Sequence, residues 1–171
     1  MSETKEVALV IAPFGKLPEL RLNMTAVRAA EQRYIEAKTV NPSTYADLEC
    51  SFNESYRVLK DHYSQIGYQL SLAEKELRLA QANVVLGAYA EYLAGKPKAA
   101  DTSHMKDAFL MKDETYLALL DKVNQLKAFQ SNFEGKIKVV ENVCRYMRQK
   151  MYLVSKSGVP TESIGVTIGK R

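Results

Sequence analysis

The sequence predicts an all-α protein: a long antiparallel helical hairpin of coiled-coil type, preceded by a short strand and a helix. Three observations carry this reading. Apolar residues recur at alternating four- and three-residue spacing through Phe52, Tyr56, Leu59, Tyr63, Ile66, Leu70, Ala73, Leu77, Ala80 and Val84. A second run follows the same rule: Tyr116, Leu119, Val123, Leu126, the polar Gln130, then Phe133, Ile137, Val140, Cys144, Met147, Met151 and Val154. A 4-3 repeat averages about 3.5 residues, so each stripe stays on one side of an underwound helix and is buried by another helix. The connection between the runs is short, which favours antiparallel neighbours. At about 1.5 Å per residue each run makes a rod on the order of 60 Å long. Such a rod presents surface, not a pocket.

The elements follow in order. Residues 6 to 11 are aliphatic and β-branched enough for a short strand, closed by the turn-like Ala12-Pro13-Phe14-Gly15. From Pro18 to Lys38, Leu20, Met24, Val27, Ala30, Tyr34 and Ala37 repeat at 4-3 spacing and read as one helix. Asn41-Pro42-Ser43-Thr44 ends it and starts the next, with Thr44 and Asp47 placed as a capping box. The second helix is expected over Tyr45 to Ala94, with Gly67 and Gly87 each costing it about 1 kcal/mol relative to Ala. Gly95-Lys96-Pro97-Lys98 stops it, because Gly favours a left-handed cap and Pro cannot continue a helix. A short helix over His104 to Met111 precedes the last one, Asp113 to Ser155, which Ser157-Gly158-Val159-Pro160 breaks. The tail Ser163-Ile164-Gly165-Val166-Thr167-Ile168 reads as a weak strand or as a segment that orders on contact. The chain thus divides into an N-terminal strand and helix (1–40), the hairpin (41–157) and a tail (158–171).

With residue 95 opposite residue 113, facing positions in the hairpin sum to about 208. Cys144 then faces the neighbourhood of Ser64, about 20 Å from Cys50, which is too far for a disulfide. Both cysteines are expected as small core residues. Two cysteines build no disulfide framework and favour a reducing, cytoplasmic setting. The six apolar residues Val7 to Ala12 are too few for a secretory signal, and no stretch approaches a membrane span of about 18 apolar residues. No membrane association is expected.

The net charge of +4 is unevenly placed. From Lys136 onward eight cations face only Glu141 and Glu162, a net +6 that leaves −2 for the rest. A basic region beside a neutral-to-acidic remainder suits a polyanion, although cations at a helix C-terminus also complement its dipole. Chemistry of other kinds finds no residues to stand on. His62 and His104 are the only histidines, with no cluster at metal-ligand spacing. No nucleophile elbow, phosphate loop or dinucleotide fingerprint occurs. Glu74 and Glu76 read as helix-surface partners of Lys75 and Arg78. No enzyme activity, cofactor or metal is expected.

The segment Arg145 to Tyr152 carries more information. On a helix, Arg145, Arg148 and Tyr152 share a face at i, i+3 and i+7, with Lys150 nearby, while Met147 and Met151 belong to the apolar stripe. Guanidinium groups bind phosphates in bidentate fashion and an exposed Tyr stacks on unpaired bases. Lys96 and Lys98, beside the turn, form a second basic spot.

The layout around the turn resembles a known family. Ala80-Gln81 through Val84-Val85-Leu86 to Tyr92-Leu93-Ala94-Gly95 closes a long helix at small residues. Met105-Lys106 and Leu110-Met111-Lys112-Asp113-Glu114-Thr115-Tyr116-Leu117 then lead into a helix with late arginines. This is similar to the UvsY-type recombination mediators of T4-like phages, over about Ala80 to Tyr152. The resemblance implies a homo-oligomer that binds single-stranded DNA and helps a RecA-like recombinase displace the single-strand-binding protein. The family can carry basic residues just before the turn, where this chain has Gly87 and Tyr89. Phosphates must then be met elsewhere, by Lys75, Arg78, Lys96, Lys98 or the Arg145 to Lys150 segment. The rival expectation is a coiled-coil structural or scaffold protein of a virion or other large assembly, whose rods only pack against neighbours.

Overall fold

The computed structural model describes residues 8–37, 41–97 and 101–157. In chain order they form β1 (Ala8–Ile11), β2 (Leu20–Asn23), α1 (Thr25–Glu36), α2 (Pro42–Val84), a π-helical turn (Val85–Tyr89), α3 (Ala90–Leu93), α4 (Ser103–Leu110) and α5 (Glu114–Ser157). The architecture is helix-dominated, as the two apolar stripes require. Among the stripe residues, Phe52, Leu59, Ile66, Leu70, Leu119, Val123, Leu126, Phe133, Ile137 and Met147 are all buried. The described residues group into two compact units, one drawn from 8–11, 20–37, 41–63 and 133–157, the other from 12–19, 64–97 and 101–132.

In the first unit, β1 and β2 pair antiparallel with Ala8 opposite Asn23 and Ile11 opposite Leu20. This corrects the helix expected from Pro18. A lone strand leaves a row of unpaired backbone groups, and Leu20–Asn23 supplies the partner that β1 lacked. Leu22 is wholly buried, and the Asn23 side chain accepts the Thr25 amide at 2.9 Å where the helix begins. Helix α1 then lies against α2. Ser55 Oγ donates to Ala26 O at 3.2 Å, Arg33 donates to Ser51 Oγ at 2.6 Å, and Tyr34 meets Phe52 edge-on with ring centroids 5.8 Å apart. His62, buried, donates its Nε2 proton to Asn23 O at 2.9 Å and meets Phe133 edge-on. It is a packed core histidine.

Helix α2 begins at Pro42, with Asn41 as its cap. Asn41 Oδ1 accepts from the amides of Ser43 (3.0 Å) and Thr44 (3.1 Å), and Thr44 Oγ1 accepts from the Asn41 amide at 3.0 Å. The reciprocal box therefore spans Asn41 and Thr44, not Thr44 and Asp47. Pro42 suits this position because the first helical N–H has no partner to lose.

In the second unit the reversal at residues 12–19 packs on the helices. Phe14 and Leu17 exchange two backbone hydrogen bonds across a turn in which Gly15 has φ +54, a conformation that favours Gly. Gln69 donates to Pro18 O at 3.1 Å and Lys122 Nζ to Ala12 O at 2.8 Å. The α2 and α5 segments approach closely here: a Cβ on Gly67 would come within 3.2 Å of Gln130 Nε2. At the far end of the unit the long helix does not run unbroken to Ala94. Gly87 has φ −97 and ψ −105, a non-helical conformation inside the π-helical turn. Beyond it Tyr89, Tyr92 and Phe109 pack together.

That aromatic packing explains a correction to the register. Tyr89 with Phe109 sums to 198, Gly67 with Gln130 to 197, and within the first unit Glu49 with Arg148 to 197, all short of 208. Helix α4 is itself the antiparallel partner of residues 85–93, so pairing starts near Ser103 and not at Asp113. Cys144 therefore lies level with residue 53, only about 4.5 Å along the axis from Cys50 at helical rise. The two also differ in direction: Cys50 is exposed, while Cys144 is half-buried. Cys50 is thus not a core residue. Burial raises the Cys144 thiol pKa above its ordinary value.

Helix α4 starts at Thr102, whose hydroxyl accepts the Met105 amide at 3.2 Å, and α5 starts at Asp113, whose carboxylate accepts the Tyr116 amide at 2.7 Å. The expected strand in the tail lies outside the described residues. Among the described residues no helix is long and apolar enough to cross a membrane.

Candidate nucleic-acid interface

In the first unit the last four turns of α5 hold one predicted cluster. Met147 is wholly buried and Met151 half-buried, which fixes the rotation of the helix. Arg145, Arg148 and Tyr152, spaced i, i+3 and i+7, are then all exposed, Tyr152 to 58%. Arg148 Nε donates to Glu49 Oε1 at 3.4 Å, and its side chain still keeps 62% of its surface in water. The Glu49 carboxylate and the Tyr45 hydroxyl beside it push the guanidinium pKa further up. Tyr45 is itself shifted up, first by burial and then by Glu49. Lys150 lies 5.4 Å from the Tyr146 ring centre, and Lys156 lies 4.9 Å from that of Tyr152. Lys156, which the sequence reading did not single out, joins the cluster because i+4 spacing places it over the ring.

The second unit holds the other predicted cations. Lys75 and Arg78 are exposed and line a shallow groove with Ser71, Glu74 and Leu79. Glu74 is partly neutralised there by Lys127 at 3.1 Å. Lys96 Nζ lies 3.3 Å above the Tyr92 ring, so its charge is drawn onto an aromatic face. Behind Tyr92, buried Tyr89 donates its hydroxyl hydrogen to Asp101 Oδ1 at 2.7 Å, and that bond, with burial, raises the Tyr89 pKa. Lys98 lies outside the described residues. Lys75 and Arg78 are brought together, Lys96 belongs to the aromatic cluster of Tyr89, Tyr92 and Phe109, and Arg145, Arg148, Lys150 and Tyr152 form the α5 group.

Two residues escaped the sequence reading. Tyr68 is 68% exposed on α2, seven residues before Lys75. Its signal was legible, because position 68 falls off the 66-70-73 stripe and turns a large ring outward. Lys122 is only 7% exposed, and burial pushes its amine below the ordinary 10.5. Nothing local foretold this, since its carbonyl partner on Ala12 is far away in sequence.

Chemically, these arrangements can bind phosphate by charge-assisted hydrogen bonds and stack bases on exposed rings. Among the described residues no group of three or more His, Cys, Asp or Glu side chains converges to hold a metal ion. None of the family models, curated proteins or solved structures compared with the chain matches it.

Proposed function

We propose that the chain is an oligomeric, single-stranded-DNA-binding recombination mediator that helps load a RecA-like recombinase onto DNA covered by single-strand-binding protein. The observation that carries the DNA contact is the exposed Arg145, Arg148 and Tyr152 on one face of α5, two fork-shaped cations beside an exposed ring. Cations fix the phosphate backbone whatever the sequence, and a Tyr face accepts any base, so this set favours unpaired strands without sequence preference. The mediator role rests on the resemblance to UvsY-type proteins, and with it the recombinase, the single-strand-binding protein and the cytoplasm of a phage-infected host. On this reading the chain is a binder and not an enzyme, and needs no cofactor.

A second reading, a coiled-coil structural or scaffold protein, is favoured by the exposed apolar residues Leu79, Leu86, Val139 and Leu153. Fluorescence anisotropy with labelled oligo-dT and with duplex of equal length separates the two. The mediator reading expects tighter binding to oligo-dT. Absence of single-strand binding, with large assemblies by light scattering, would leave the scaffold reading in its place.

A further inference from the structure

We propose that Tyr68 is a base-stacking residue of a second single-strand contact, on the outer face of α2, with Lys75 and Arg78 meeting the phosphates. The inference rests on the single-stranded nucleic-acid reading above and adds a site to it. Of the described aromatic side chains, Tyr68 and Tyr152 are the large ones most open to solvent, and Tyr68 is the more exposed at 68%. Ile66, Gln69 and Leu70, its neighbours along the helix, are buried, so the helix cannot rotate to hide the ring. Tyr68, Ser71, Lys75 and Arg78 follow at i, i+3, i+7 and i+10, along one side of α2. Tyr68 and Lys75 are about 10 Å apart along the axis at helical rise, so one short strand segment can reach both. Charge complementarity chooses the occupant. Lys75 and Arg78 make no salt bridge among the described residues, whereas the carboxylate that lines the groove with them, Glu74, is held by Lys127 at 3.1 Å. An outward ring beside two available cations matches a polyanion with stackable faces. Leu72 and Leu79 border the same face, so a helix of a second copy is the competing occupant, and the test below separates them.

The chain contains no tryptophan, so Tyr68→Trp introduces a single indole reporter. Titrating this variant with oligo-dT should quench its emission, with the same midpoint as anisotropy. Tyr68→Phe should bind like the parent, because stacking does not need the hydroxyl, whereas Tyr68→Ala should weaken binding about 5- to 150-fold. Lys75→Ala with Arg78→Ala should flatten the slope of log K against log salt by roughly 1.4. An unquenched indole in a variant that binds as the parent does would overturn the proposal and leave the α5 site standing. A Tyr68→Ala protein that changes mass in sedimentation but keeps its DNA affinity would overturn it in favour of the second copy. Failure of the parent to bind oligo-dT would remove both sites.

Discussion

Leu126 is wholly buried in the middle of the second stripe, and truncating it measures what that stripe contributes. Leu126→Ala removes the equivalent of three buried methylene groups, about 2.4 kcal/mol at roughly 0.8 kcal/mol each. A residual void of about 70 Å³, at roughly 24 cal/mol per Å³, adds about 1.7 kcal/mol. The expected loss is therefore about 4 kcal/mol. The control is Leu86→Ala, since Leu86 is 78% exposed and its truncation should change stability by no more than about 0.5 kcal/mol. Urea unfolding followed by far-ultraviolet circular dichroism, at one fixed protein concentration, reads both variants. With a slope of about 2 kcal/mol per molar, Leu126→Ala should lower the midpoint by about 2 M, and Leu86→Ala by almost nothing. Equal midpoint shifts in the two variants would refute the assignment of the 4-3 stripe as the core.

Two further predictions concern the fold. Asn41→Ala removes the acceptor for both the Ser43 and Thr44 amides and should cost about 1 kcal/mol, visible as a lower melting temperature; an unchanged melt would mean that Asn41 is not the working cap. Lys122 is held below its ordinary pKa by burial, so between that lowered value and 10.5 the unfolded chain binds more protons than the folded one and stability rises with pH. Lys122→Met lacks this term, so it should be at least as stable as the parent at neutral pH, and the parent should gain on it as pH rises towards 10.5. Paired urea titrations check this, and a difference independent of pH contradicts it.

The helices were legible in the sequence because their apolar spacing is long and regular, and Phe52, Leu59, Ile66, Leu126, Phe133 and Met147 all face inward as that spacing requires. The β-hairpin was hidden for a physical reason. Leu20, Met24 and Val27 fit a helical period, yet Leu20 and Leu22 equally fit an alternating one, and only the presence of β1 as partner decides between them. The register error came from setting residue 95 opposite residue 113, which left the short helix expected over His104 to Met111 out of the pairing, whereas Phe109 packs on Tyr89 and Tyr92. In the candidate interface, the outward direction of Arg145, Arg148 and Tyr152 followed from the helical period. The pairing of Arg148 with Glu49 did not, because it depends on the register between helices distant in sequence.

The proposed function requires that the exposed arginines of α5 hold a single strand through its phosphates. Salt titration of oligo-dT binding by the parent and by the Arg145→Ala, Arg148→Ala double variant tests it most directly. Both residues are exposed, so helix content and sedimentation should stay close to the parent's. Each phosphate contact contributes about 0.7 to the slope for single strands, so the double variant should flatten log K against log salt by roughly 1.4. An unchanged slope in a folded double variant would contradict the claim.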